Sequence, residues 1–461
     1  MQGISSWSHA PYKPPLFDVG GIYICRVVPF KTSIHFEWLK TADEYKIYYR
    51  LRDEKDFVLA GSTDREEFDI VGLTPDVDWE FYVTDSNKKS RVRLARTGES
   101  VGTVVNYLHP EDRAYSYSGS YLASPSFIRH PDGYLLSSMD VFKGDGGQNL
   151  NLIFRSDDDG RTWRYQCELM PSFWGKLFLH KGEVYMISTS TEYGDLLIGK
   201  STDGGRSFCT PTVLLRGSNG RKGGVGVHKN PQNTVYYKGR MYHTLEWGSW
   251  GNSSYYHAAM VMSIDENLDP MVAENWHFSE PLKYDPSWEG TVDGVALGTI
   301  EGTLCVTPSG ELHNVMRYNI VSGDPIYGLV LDYKVDHLDP DAPLEYLGSI
   351  KLDGNNSKFM IKRDEATGKY YTIISRIDSA QNRKARNLLS LMESDDMYNW
   401  RLKRDLIDRR DADKRHVGFQ YVCFEIEGDD IIYLCRTAIN GANNFHDSNY
   451  QTFHRIKGFR A

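Results

Sequence analysis

What this chain lacks narrows it first. There is no excess of basic residues: 53 Lys and Arg stand against 62 Asp and Glu, a net charge of −9. That removes the electrostatic footprint of a nucleic-acid binder. No run of 18 apolar residues occurs, so no segment reads as a membrane span. Residues 1–15 contain no apolar stretch of the kind a signal peptide needs, and the compartment stays undefined by sequence. The six cysteines are scattered and form no C-x-x-C pair. They therefore suggest neither a zinc site nor a disulfide framework, and read as small buried hydrophobes. No HExxH or other fixed metal spacing joins the histidines, so no metal and no cofactor is expected. Helical periodicity is also missing: no 3.6-residue apolar pattern persists beyond two turns.

What is present is strand and turn. The chain has 461 residues, 40% hydrophobic and 25% charged, an ordinary globular mix long enough for two or three domains. Residues 1–15 read as a flexible lead rich in proline. From about 20 to 98, short alternating runs separated by turn residues predict a β-sandwich assigned to 16–100. From 105 to 461 the same strand-and-turn pattern continues without interruption.

One loop pattern recurs. Ser156, Asp158, Gly160, Thr162 and Trp163 spell S-x-D-x-G-x-T-W, and Ser201, Asp203, Gly205, Ser207 and Phe208 repeat it 45 residues later. A weaker copy keeps Ser394, Asp396 and Trp400. Ser and Asp side chains bond back to such a loop, Gly supplies positive φ, and the aromatic plugs the sheet below. The pattern resembles the Asp-box (BNR repeat) of sialidase-like β-propellers. At about 45–60 residues per blade, the resemblance implies six or seven blades. The stretch from Tyr121 to Phe127, followed by Pro131 to Leu136, is similar to the opening strand of a sialidase. Where that family keeps a carboxylate-gripping Arg, this chain has Ala123, so a conventional sialic-acid clamp is not expected. The family's acid/base Asp falls near Asp145. Within the first hundred residues, Leu73-Thr74-Pro75 with Trp79, Phe81, Val83 and Trp38 resembles a fibronectin type III domain.

Candidate site residues are polar groups in strand-like surroundings, where burial is costly without a partner. Glu246 stands beside Trp247 and Trp250, which suits a sugar site: indoles stack on a pyranose and an apolar wall favours a protonated carboxyl. Arg317 sits on an apolar strand and needs an anion, either Glu301 or a substrate carboxylate. Arg317, Arg386 and Arg436 form a candidate basic ring. Tyr421 reads as a nucleophile activated by a carboxylate such as Glu425 or Glu246, as the sialidase tyrosine is. His228, His416 and His446 are candidate bases or ligands of substrate.

The expected protein is therefore all-β, a fibronectin III-like sandwich ahead of a sialidase-like propeller. The expected function is a glycoside hydrolase releasing a terminal acidic or deoxy sugar from an oligo- or polysaccharide, with Asp145 or Glu246 as acid. A polysaccharide lyase using His228, His416, Tyr421 and Arg436 beside a uronate is the rival. A non-catalytic glycan-binding propeller is the third reading.

Overall fold

The computed structural model describes residues 21–142, 146–218, 224–252, 256–292, 296–320, 328–354, 357–379 and 385–461. The expected lead over 1–15 and Asp145 lie outside the described residues. The chain is all-β apart from a single 3₁₀ turn at Ala273–Asn275 among the described residues. No helix of the described residues is long and apolar enough to cross a membrane.

The first two sheets make a sandwich. One runs Ile24–Pro29, Ser33–Trp38, Glu67–Val71; the other runs Val58–Thr63, Tyr45–Leu51, Asp78–Thr84, Arg93–Arg96. Period-two alternation sends Ile34, Phe36, Tyr45, Ile47, Phe81 and Val83 into the space between them, all fully buried. Trp38 joins that core. Trp79 is only partly buried, packs on Tyr49, and its indole N–H finds no acceptor among the described residues.

Six further antiparallel sheets follow as the blades of a propeller. Blades one and two are 121–169 and 173–215. Blade three, 226–278, is built on Arg240–Gly248 and His257–Asp265. Blades four and five are 296–351 and 361–408. Blade six uses Gly418–Glu427, Asp430–Ala438 and Tyr450–Ile456, and takes its outermost strand, Thr103–Tyr107, from before blade one. Separate apolar clusters fill successive gaps: Ile128 and Leu136 meet Leu177 and Val184, and Phe178 and Ile198 meet Met241 and Leu245. Tyr242 and Ala259 meet Leu304 and Met316, and Val315 and Val330 meet Phe359 and Ile374. The last cluster joins blades five, six and one, and runs on into the sandwich. Each blade keeps one outer edge strand, and division into small sheets around a ring holds those edges short.

Polar bonds weld the sandwich to the ring. Arg26 pairs with Glu37 at 2.6 Å and donates to the carbonyls of Val104 and Val105. Arg93 pairs with buried Asp112 at 2.7 Å. Tyr23 donates to Glu168 at 2.8 Å.

The recurrent loops are built alike. In the first, Ser156 Oγ accepts from Gly160 N at 2.8 Å, and Asp158 accepts from Thr162 N and Thr162 Oγ1 at 2.8 and 2.7 Å. In the second, Ser201 and Asp203 repeat these bonds to Gly205 and Ser207. Asp396 of the third copy bonds Tyr398 N and Asn399 N instead, the geometry left when Gly is missing.

Candidate active site

The innermost strand of four blades carries a β-bulge at which a non-glycine residue takes positive φ: Ser124 (47°), Trp174 (53°), Glu301 (58°) and Tyr421 (55°). A bulge turns a side chain out of the sheet, and a non-glycine residue there carries strain of order 1 kcal/mol or more. Two of these residues, Glu301 and Tyr421, face the same guanidinium. Arg317 Nη1 donates to Glu301 Oε2 at 2.7 Å and to the Tyr421 hydroxyl at 3.2 Å. Its Nη2 donates to Asn319, whose amide donates to Tyr256.

Glu301, Arg317, Asn319 and Tyr256 are buried and Tyr421 is half-buried, and the charges follow. Burial opposes the charge on Glu301, but Arg317 offsets it and holds the carboxyl below its ordinary range. Burial likewise opposes Arg317, and Glu301 keeps it charged. Arg386 reaches over the Tyr421 ring at 5.7 Å and donates to Gln420. Burial, with Arg317 and Arg436 close by, lowers its pKa to about 10, so it stays cationic at neutral pH. Arg436 lies 4.8 Å from the Tyr421 ring and 4.6 Å from that of Phe142, and donates to the His446 carbonyl at 2.5 Å. No carboxylate touches Arg436 among the described residues.

A second group adjoins the first. His228 Nδ1 donates to Glu246 Oε2 at 2.5 Å, and Glu246 Oε1 accepts from Gly302 N, the amide next to Glu301, at 3.0 Å. The ring of Trp174 lies 4.2 Å from that of His228. His257 bonds the Tyr193 hydroxyl at 3.0 Å; burial, with His228 and Arg317 near, keeps it neutral. Trp250, 47% exposed, rests against Tyr256 and His257.

The structure thus gathers Glu246, His228, Glu301, Arg317, Tyr421, Arg386, Arg436 and His446. His446 bonds Asp447 at 2.9 Å, and burial beside Arg436 lowers its pKa to about 4. Three expectations fall elsewhere. Trp247 points away from the cluster and packs between blades two and three, because neighbours on a strand face opposite sides. His416 is exposed in the turn before blade six, against the Ala442 carbonyl. Glu425 pairs with Lys362 at 2.5 Å, whereas Glu301 shares the Arg317 guanidinium with Tyr421.

One residue that sequence reasoning missed is Asp140. It accepts from Trp174 N at 2.7 Å, Gly175 N at 3.4 Å and Asn151 Nδ2 at 2.5 Å, tying blade one to the bulge of blade two. Burial pushes its pKa up to about 7. A lone Asp inside the apolar strand Leu135–Phe142 was the available signal. Asp140 also pairs in register with Ala123, and Arg436 is close enough to feel its charge. Arg436 also lies 4.6 Å from the ring of Phe142, on the same strand as Asp140.

No family model and no curated protein matches the chain. Solved structures do. A Penicillium chrysogenum α-L-arabinanase is 13% identical over 78% of this chain and 98% of its own, with a TM-score of 0.52. A Hadza microbial sialidase is 13% identical over 99% and 98%, at 0.51. A leech intramolecular trans-sialidase is 10% identical over 96% and 93%, at 0.51. These likenesses, together with the closed ring of sheets, show that the chain has a sialidase-like β-propeller fold.

Proposed function

We propose that this protein is a glycoside hydrolase that releases a terminal acidic sugar from an oligo- or polysaccharide. One observation carries the reading: three arginines from blades four, five and six surround Tyr421, whose hydroxyl shares a guanidinium with the Glu301 carboxylate. In this reading Arg386 and Arg436 hold the anionic group of the sugar, Arg436 serving where Ala123 cannot. Glu301 takes the phenol proton as Tyr421 attacks the anomeric carbon, giving a glycosyl-enzyme that water then opens. Glu246 accepts hydrogen bonds at both oxygens, which suits an anion. The His228–Glu246 pair therefore supplies the proton to the leaving oxygen through His228. Trp174 and Trp250 offer ring faces for the sugar. The sialidase and arabinanase likenesses support a carbohydrate substrate.

The test is hydrolysis of fluorogenic glycosides carrying acidic or neutral terminal sugars. Release from an acidic glycoside by the wild type is expected, with kcat falling about 10²-fold or more in Tyr421→Phe and in Glu301→Gln. No release from any acidic glycoside sinks the reading.

The His228–Glu246 bond favours a second reading, a lyase in which His228 removes the proton beside an arginine-neutralised uronate. Ultraviolet absorbance of an unsaturated product on uronate-rich glycans distinguishes it.

We also read the sandwich, over 16–100, as fibronectin III-like and the propeller as 105–461. The strand order of the two sheets supports the first assignment. The loop bonds at Asp158 and Asp203 support reading those turns as Asp-boxes.

A further inference from the structure

Blade three breaks its own innermost strand. Gly226–His228 and Val235–Tyr237 both pair with Arg240–Gly248, and residues 229–234 leave the sheet between them. This excursion runs to the innermost strand of blade four and to the segment that leads into blade five: Asn233 Nδ2 donates to the Leu304 carbonyl, and Gln232 Nε2 to that of Phe359, both at 2.6 Å. It brings cations together. Lys229 Nζ donates to the Asn230 carbonyl at 2.9 Å, and Lys358 Nζ, from the segment before blade five, to the next carbonyl, Pro231, at 2.8 Å. Lys176, on the innermost strand of blade two, is a third cation, close enough for its charge to act on both. The three are 0%, 1% and 3% exposed.

No carboxylate pairs with any of them among the described residues. The acidic groups within electrostatic reach are already engaged, Glu246 with His228 and Gly302, Glu301 with Arg317. Both ends of the buried Asn230 amide are unused among the described residues. Burial lowers Lys229 to about 7 and Lys358 to about 8, each further opposed by Lys176. His243, buried nearby with both ring nitrogens unbonded, adds no negative charge. Buried cations without a counter-charge are costly.

We propose that Lys176, Lys229, Lys358 and the Asn230 amide bind a small monovalent inorganic anion of halide size at the centre of the ring. The donors outnumber the acceptors, and a halide accepts from any direction, whereas a larger oxyanion needs more room and a fixed donor geometry. The site is independent of the hydrolase reading.

Crystals grown in sodium bromide test it directly: an anomalous peak in contact with the Lys176 and Lys229 ammonium groups is expected. Ordered water alone, or no density, overturns the proposal. In solution, the wild type should melt a few degrees higher in chloride than in gluconate at equal ionic strength. Lys176→Met should lose that difference. Equal melting of the wild type in both salts overturns it, and the bromide experiment decides should the variant fail to fold.

Discussion

At the scale of single residues, charge at the site makes the sharpest prediction. Among the described residues Arg436 has no carboxylate partner, so Arg436→Met should weaken binding of an acidic substrate while sparing a neutral one. A charged hydrogen bond contributes about 1.5–3 kcal/mol, so KM should rise roughly 10- to 100-fold for the acidic glycoside alone. Equal effects on both substrates would remove Arg436 from substrate binding. Asp140→Asn tests positioning at a distance. It keeps the shape of the Trp174 clamp but replaces one accepting oxygen with an NH2 donor, and kcat should fall several-fold while KM moves little. The cluster around Arg317 was legible as a candidate because Arg317 and Tyr421 are polar groups on apolar strands. Asp140 was missed because the sialidase resemblance points instead to Asp145, five residues on. Trp247 was misread by adjacency to Glu246, when a pleated strand sends such neighbours to opposite faces. The bulges that turn Glu301 and Tyr421 outward leave no sequence mark, because tertiary pairing imposes them.

At the scale of elements, the recurrent loop was the clearest signal and also offers a clean contrast. Gly160 has φ near 82°, and a Cβ there would meet the Phe453 ring at 2.1 Å. Gly182 has almost the same φ, 80°, with nothing within 4 Å. Alanine costs about 1–2 kcal/mol at either from backbone strain, and about 1–3 kcal/mol more at Gly160 from overpacking. Urea melts should separate the two. The joint between sandwich and blade one makes a pH prediction. Burial raises Glu168 to about 8 from an unfolded value of 4.5. Between those limits the folded state keeps a proton that the unfolded state has released, so stability falls as pH rises from about 4.5 to 8. The slope is at most about 1.4 kcal/mol per pH unit. Glu168→Gln should flatten it in pH-dependent denaturation; an unchanged slope would clear Glu168 of the effect.

At the scale of the whole molecule, one apolar cluster runs from the sandwich through blades six, one and five. Unfolding should therefore show one calorimetric transition rather than two. A separate early transition for the sandwich would mean the buried Arg26 and Arg93 bonds hold less than their geometry implies. The blade count was only bracketed by the repeat interval, because the third loop copy is degenerate. The number becomes six once Thr103–Tyr107 is seen to belong with Tyr450–Ile456 rather than with a seventh sheet.

That shared blade also orders events in time. A ribosome delivers Thr103–Tyr107 hundreds of residues before its partner, so a nascent chain holds a strand it cannot yet use. Every earlier blade can stack on its neighbour during synthesis, but the circle shuts only when the final strand emerges. Released truncations ending before Tyr450 should accordingly remain open to protease, and extension through Ile456 should change that abruptly.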